Sequence, residues 1–573
     1  MAKSIRSGLA QCWPFVSSSL FFAMGRSQHQ TYPLLGKRIT RSEEAWRHVL
    51  LASVASAALT ACGGSGGDSP DVALPKACEP ASLAQLNLGD AAILDATPVE
   101  AGSYTPPGSR SALPSLPAFC RIQAQASPSE DSLINFEVWL PSDGAWNGKL
   151  VATGNGGYSP ALSYSDMAYA LRQGYATLGG DTGHQTDDGN DMMWGVGHPE
   201  KIRDWGTRSI HAITQPSKMI VAELMGASPR RSYYLGCSTG GHQAYAQVQQ
   251  YPEDFDGVIA GAPGNNRTSL NAEFLWRFLS NRESKENPAP ILTREKATLI
   301  SEAAVSACDS LDGVTDGVID DPRMCTVPHF DVMSLQCTGA EGEDCLTTRE
   351  VLAAQRIYQG PRNPRTGEQI YPGQVIGSES GWPGYWGGAE PVRADYWRYW
   401  AFNDPQWDWW SFDFDHQLET ARERLGPLVD HNSPDIQAFK AYGAKLLVYH
   451  GWNDPVVVAT DSIDYYERVK ATQGSKAEVD SFMRLFMVPG MGHCAGGIGA
   501  TNIRVTDSPR PHPEQDILAA LDRWVEEGSA PDHLIASGKV GGADRTRPVC
   551  AYPKRAVYLG SGSTDSAENF ACR

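Results

Sequence analysis

The 573-residue chain is short of positive charge: 48 Lys and Arg stand against 66 Asp and Glu, a formal net charge of −18. Nucleic-acid binding needs a basic surface to meet phosphates, so that class is excluded, and non-specific contact with anionic membranes is disfavoured. Long hydrophobic runs are also lacking, and beyond the N-terminal region no stretch reads as a membrane span. There is no Cys-x-x-Cys, which removes zinc-ribbon and thioredoxin-like readings. Internal repeats are absent. What is present is a 41 % hydrophobic composition with 16 Trp, 21 Tyr and 16 Phe. At this length it suits one large globular core with a sizeable insertion.

Residues 1–61 read as a signal peptide. Arg38, Arg41, Arg47 and His48 precede an apolar stretch, Val49 to Leu59, that is too short to span a bilayer. Leu59-Thr60-Ala61-Cys62 resembles a bacterial lipobox, with Cys62 as the lipidated first residue after cleavage. An ordinary secretory signal with an incidental cysteine is the alternative. Residues 62–76 form a tether, Gly/Ser-rich from Gly63 to Pro70. The stretch before Met24 adds nothing to a signal, so Met24 is a possible true start. The expectation is an exported protein, periplasmic, anchored at the outer membrane or secreted, touching membrane only through the lipid on Cys62.

Setting aside Cys12 and Cys62 leaves ten of the 12 cysteines. An even number in an exported chain reads as a disulfide framework. Spacing suggests Cys308/Cys325, Cys337/Cys345, Cys550/Cys572 and Cys78/Cys120, which leaves Cys237 and Cys494. Sequence alone does not fix that connectivity.

From Ile122 to Ala260, β-rich runs alternate with helix-like segments. Asn135–Leu140, Lys149–Thr153, Ala176–Leu178, Ser232–Leu235 and Gly257–Ala260 read as strands, Ile210–Met225 and Gly241–Gln250 as helices. The pattern resumes with strands Lys445–Tyr449 and Leu485–Val488 and helices Ser462–Thr472 and Glu514–Glu527. Such alternation predicts an α/β protein with a parallel sheet covered by helices. Residues 77–264 and 431–573 are then two parts of one core. Residues 265–430 are an inserted lid domain with four cysteines, many turns, and seven Trp between Trp382 and Trp410. These aromatics either line a ligand pocket or pack the lid's own core.

Gly236-Cys237-Ser238-Thr239-Gly240 follows a strand-like run and precedes a helix, the setting in which G-x-S-x-G presents a nucleophilic serine. A serine hydroxyl needs a base to take its proton and an acid to orient that base. Asp454 follows strand Lys445–Tyr449 and His493 follows strand Leu485–Val488, giving the order Ser, acid, His of α/β-hydrolases. Asp461 and Asp464 lie near Asp454 but fall on the following helix. Attack on an ester develops an oxyanion, which backbone N–H groups must meet. Thr239 is one expected donor, and the loop Gly154-Asn155-Gly156-Gly157-Tyr158 supplies the other. Separately, Cys308-Asp309-Ser310-Leu311-Asp312-Gly313-Val314-Thr315-Asp316-Gly317-Val318 interleaves three carboxylates with tight turns, a pattern suited to Ca²⁺ though not that of an EF-hand. Two surface Asp-Gly turns are the alternative.

Together these residues resemble the tannase and feruloyl esterase family, which includes the bacterial hydrolase of mono(2-hydroxyethyl) terephthalate. The likeness runs from Cys78 to Cys572 and takes in Gly261-Ala262-Pro263-Gly264, His450-Gly451 and Thr546-Arg547-Pro548. The resemblance implies an α/β-hydrolase fold with a large inserted lid domain and a disulfide joining the Cys-Ser and His-Cys pairs. It implies Ser238, Asp454 and His493 as nucleophile, acid and base, with the amides of Thr239 and Gly157 as oxyanion donors. It further implies a structural Ca²⁺ in the lid, held by Asp309, Asp312, Asp316 and the carbonyls of Val314 and Val318. In the terephthalate enzyme a lid arginine clamps the substrate carboxylate. Alignment puts Pro391 at that place with Arg393 close by, and Tyr385 and Val457 at the pocket walls. The expected activity is a serine carboxylesterase acting on small aromatic esters of feruloyl, galloyl or terephthaloyl type. A non-catalytic surface lipoprotein that captures aromatic ligands, and acyl transfer to an acceptor other than water, are the other readings.

Overall fold

A nine-stranded mixed sheet runs through the molecule. The computed structural model describes residues 76–573 apart from positions 143, 187, 189 and 190. The leader, Met24, Cys62 and the tether up to residue 75 lie outside the described residues. In chain order the strands are β1 (Ala91–Val99), β2 (Phe119–Ala126), β3 (Ile134–Pro141), β4 (Lys149–Thr153), β5 (Ala176–Gly180), β6 (Arg231–Cys237), β7 (Gly257–Gly261), β8 (Lys445–Gly451) and β9 (Met483–Val488). The principal helices are α1 (Tyr164–Arg172), α2 (Ser209–Met225), α3 (Thr239–Gln250), α4 (Arg267–Ser280), α5 (Arg294–Cys308), α6 (Thr348–Gln359), α7 (His416–Val429), α8 (Ala459–Gln473) and α9 (Ile517–Glu527).

Across the sheet the order is β1-β2-β3-β5-β4-β6-β7-β8-β9. The expected parallel pairing holds from β5 onward. It fails at the other end, where β1, β2, β3 and β5 are antiparallel neighbours. The connections among β1, β2 and β3 carry no crossover helix, and without one two neighbouring strands cannot run parallel.

The parallel strands are buried on both faces, so their sequences are nearly continuous apolar runs. Alternate residues serve two cores. Leu150, Tyr234, Val258, Leu446 and Val448 pack against α2, α3 and α8. Val151, Tyr233, Leu235, Ile259, Leu447 and Tyr449 pack against α1 and α9 on the other face. Register brings Cys237 level with Gly261, Gly261 level with Tyr449, and Gly451 level with Val488. The C-terminal ends of these strands therefore share one edge, where ligands of open α/β sheets bind.

Residues 265–430 fall between β7 and β8 and add no strand to that sheet. Trp397, Trp400 and Trp407 pack with Tyr396, Phe412 and Phe414, and with Tyr158 and Trp205 from the core. Trp382 and Trp386 join Ile300, Leu346 and Ile357 in a second cluster. The aromatic richness of this segment is therefore mostly its own core. The five disulfides join Cys78–Cys120, Cys237–Cys494, Cys308–Cys325, Cys337–Cys345 and Cys550–Cys572.

Candidate active site

Ser238 stands between β6 and α3 with φ 63° and ψ −115°. That backbone is costly for a residue with a Cβ and is maintained only by its surroundings. Its amide donates to Gly261 O on β7 at 3.0 Å, and its carbonyl accepts from His242 N at 2.9 Å. The turn is tight enough that a Cβ on Gly236 would lie 2.6 Å from Gly240 O and 2.7 Å from the Tyr234 hydroxyl. A Cβ on Gly240 would lie 3.2 Å from Asn155 O, so both flanking glycines are explained by close packing. Thr239 opens α3, so its amide has no acceptor within the helix and points outward at the helix N-terminus.

The Gly154–Tyr158 loop is held against this turn. Gln243 Oε1 accepts from Asn155 N at 3.0 Å, and Asn155 Nδ2 donates to Gly180 O at 2.8 Å. Gly157 has φ +57°, and its carbonyl accepts from Trp205 Nε1 at 3.3 Å. The structure thus brings the loops of Thr239 and Gly157 together beside Ser238.

Asp454 is fully buried on the loop after β8. Its Oδ1 accepts the amides of Val456 at 2.8 Å and Val457 at 3.1 Å, while Oδ2 accepts from His493 Nδ1 at 2.7 Å. Burial by itself would raise this carboxyl, but His493, hydrogen-bonded to it, and His450, whose Nε2 lies 3.4 Å from Oδ2, outweigh it. Asp454 is held well below the usual carboxylate range. Sequence reading gave His450 no role. Its Nε2 donates to Val457 O at 2.9 Å and its Nδ1 accepts from Ser462 Oγ at 2.8 Å.

With Nδ1 bound to Asp454, the His493 ring keeps Nε2 for another partner. The Cys237–Cys494 disulfide, with Cα atoms 5.8 Å apart, joins the residue before Ser238 to the residue after His493. The Asp454 and His493 loops are also stitched directly: Asn453 N donates to Met491 O at 2.9 Å and Trp452 N to Val488 O at 3.0 Å. A carboxylate, an imidazole and a serine gathered this way, with amides alongside, can activate a hydroxyl and stabilise an oxyanion.

The three expected substrate contacts also gather at this edge. Val457 is buried in a small cluster with Leu270, Phe274 and Tyr371, against which Tyr385 packs. Arg393 has φ 64° and places its guanidinium 4.8 Å from the Tyr158 ring centroid. A Cβ added to Gly157 would lie 3.3 Å from its Nη2. Arg393 therefore reaches the same loop, whereas Pro391 is buried.

The Asp309–Val318 loop lies apart. Asp309 accepts the amides of Asp316 at 3.1 Å and Gly317 at 3.0 Å, Asp312 accepts from Val314, and Asp316 from Val318. Asp316 also meets Arg545 and Arg547 on the hairpin His533–Cys550. Among the described residues no three His, Cys, Asp or Glu side chains converge as a ready cage. The donors are all oxygen, three carboxylates interleaved with turn carbonyls, and in kind they fit a hard cation.

Sheet order and strand-edge loops define an α/β-hydrolase. A family model described as tannase and feruloyl esterase matches residues 120–573. An uncharacterised esterase of Xanthomonas campestris pv. campestris is 36 % identical over 86 % of this chain and 90 % of its own length. Feruloyl esterase C of Talaromyces stipitatus is 34 % identical over 79 % of this chain and 85 % of its own. The crystal structure of feruloyl esterase B from Aspergillus oryzae superposes with a TM-score of 0.79 and 32 % identity, covering 86 % of this chain and 98 % of that one. The chain belongs to the tannase and feruloyl esterase family and is a carboxylic ester hydrolase, which sets aside the binding-only reading.

Proposed function

We propose that this protein is an exported serine esterase that hydrolyses small aromatic carboxylic esters through an acyl-enzyme. Ser238 attacks the carbonyl, His493 takes its proton and returns it to the leaving alcohol, and Asp454 orients the imidazole. The amides of Thr239 and Gly157 stabilise the tetrahedral oxyanion, and water then releases the acid. The observation that carries this reading is the 2.7 Å Asp454–His493 bond on loops tied to the Ser238 turn by the Cys237–Cys494 disulfide. Ser238→Ala is expected to lower kcat by several orders of magnitude with an unchanged melting temperature. Activity close to wild type would sink the assignment.

The names of the relatives favour feruloyl esters among the aromatic class. Tyr385 and Val457 would flank the ring, and residues 265–430 would act as the lid over it. Arg393 beside Gly157 suits a substrate carrying a polar or anionic substituent. Turnover compared on methyl ferulate, methyl gallate and mono(2-hydroxyethyl) terephthalate tests that choice. Five disulfides support export to an oxidising compartment, with Cys62 as the candidate lipid anchor.

Ca²⁺ is proposed for the Asp309–Val318 loop in a structural role, held by Asp309, Asp312, Asp316 and the carbonyls of Val314 and Val318. The all-oxygen donor set supports it, and a Cβ on Gly499, past His493, would lie 3.1 Å from Val318. Chelation is expected to lower the melting temperature by several degrees, restored by added Ca²⁺. An identical melt in EDTA would count against the site.

A further inference from the structure

Arg267 begins α4 and is only 5 % exposed. Its Nη2 donates to Thr239 Oγ1 at 3.2 Å. The guanidinium carbon lies 5.2 Å from the Trp205 ring centroid and 5.8 Å from that of Tyr158. Among the described residues it makes no ion pair within 4.0 Å. The nearby acid is Asp430, already engaged by Thr268 N and Oγ1, each at 2.8 Å, and reached by Arg267 through space. Burying a guanidinium without a carboxylate is expensive, and two aromatic faces with one hydroxyl offset it incompletely.

The surroundings admit this charge. A Cβ on Gly264 would lie 3.2 Å from Nη2 and 3.4 Å from Cζ, so the last residue of Gly261-Ala262-Pro263-Gly264 is the gap through which the guanidinium reaches Thr239. His242 and His431 pack near by, 5.1 Å apart. Burial first, and Arg267 with it, holds both imidazoles below their ordinary range, so neither adds a second cation. Trp205, under the guanidinium, donates to Gly157 O. Arg267 thus touches one candidate oxyanion residue directly and the other through Trp205.

We infer that Arg267 is a positioning residue for the oxyanion hole, orienting the Thr239 and Gly157 donors and setting a positive field where negative charge develops on the substrate carbonyl oxygen. The inference rests on the reading of Ser238 as nucleophile and of Thr239 and Gly157 as donors. When the Ser238 Oγ bond to carbon forms, the hydroxyl proton passes to His493 and the carbonyl electron pair moves onto oxygen. A fixed charge in a water-poor site acts on that oxygen with little screening and needs no reorganisation.

The test compares Arg267→Gln, Arg267→Lys and Thr239→Val, each with active sites counted by a fluorophosphonate and 4-nitrophenyl acetate as substrate. Loss of a whole oxyanion donor lowers kcat by about 10²–10³-fold, so an indirect contribution is expected at about 10- to 100-fold. Arg267→Gln should show that loss in kcat per active site with KM little changed, and Arg267→Lys should recover part of it. Thr239→Val should lose part of that factor, and the double variant should lose less than the product of the two, because the Thr239 contact is common to both changes. An arylboronate, which forms an anionic tetrahedral adduct, should lose affinity in parallel, whereas an uncharged ketone-free ester analogue should not. Wild-type kcat per active site in Arg267→Gln overturns the inference, as does equal loss of affinity for both ligands. If Arg267→Gln does not fold, Thr239→Val decides alone, and unchanged turnover there overturns it. Full activity in Ser238→Ala would instead remove the reading beneath it.

Discussion

Asp454 and Asp461 are both buried beside His450, yet their carboxyls move in opposite directions. Asp454 has two backbone amides and His493 to offset its burial. Asp461 has the Tyr371 hydroxyl at 3.2 Å and the like charge of Asp464, so burial, with that repulsion, pushes it up to about 7. A carboxyl raised on folding gives its full stability below the unfolded value near 3.8 and loses it as pH rises through about 7. Asp461→Asn cannot ionise and keeps an acceptor for Tyr371. It is expected to be more stable than wild type above pH 7, by up to about 4 kcal/mol, with the difference shrinking toward pH 4. Melting curves across that range test this, and a pH-independent difference would refute it. The active-site residues carry strain instead: Ser238, Ala262, Arg393 and Cys494 all have positive φ without being glycine.

At the level of elements, α4 ties residues 265–430 to the acid loop. Arg277 and Glu273 form a fully buried ion pair, Arg277 Nη1 donates to Pro455 O at 2.6 Å, and Gln374 Nε2 donates to Glu273 at 3.1 Å. Asn453 Nδ2 reaches Gly377 O at 2.7 Å. Arg277→Met leaves Glu273 buried and unpaired, which costs about 3–5 kcal/mol. Glu273→Leu/Arg277→Met removes both charges and should regain most of that stability in urea unfolding. Turnover should stay depressed in the double variant, because Pro455 has lost its anchor one residue from Asp454. Recovery of both together would show that the pair supports the fold alone. The strands from β3 to β9 were legible in sequence because burial on one or both faces enforces apolar runs. β1 and β2 were missed: β1 is largely exposed, and in β2 the buried side is carried partly by Ala124 and Ala126 between Gln123 and Gln125, so neither showed a sustained apolar pattern. No local pattern marked Arg267, Arg277 or His450, since each acts on residues brought near by folding.

On the scale of the whole molecule, the Cys237–Cys494 bond spans 257 residues and encloses the insertion and Asp454. Loop-closure entropy makes such a link stabilising by about 5 kcal/mol in the simplest account. Its position, flanking both Ser238 and His493, gives it a second consequence. Cys237→Ala/Cys494→Ala is expected to lower the melting temperature markedly and also to reduce kcat per folded molecule, because His493 is no longer tied to the Ser238 turn. Full turnover in the folded fraction would leave the bond as a staple only. The same scale explains the tryptophans: composition cannot distinguish a pocket lining from a core, and packing puts Trp382, Trp397 and Trp400 inside.

Sequence by itself determined the sheet-and-helix alternation, the serine turn, the order of Ser238, Asp454 and His493, and an even set of ten cysteines available for pairing. These follow from short-range rules: periodic burial, the glycines a tight turn requires, and the even cysteine count of an exported chain. Only the tertiary structure decided that β1 to β3 run antiparallel, that the aromatic segment packs on itself, and that a buried Arg267 stands against Thr239. Those outcomes depend on contacts between residues far apart in the chain, whose energies have no local signature.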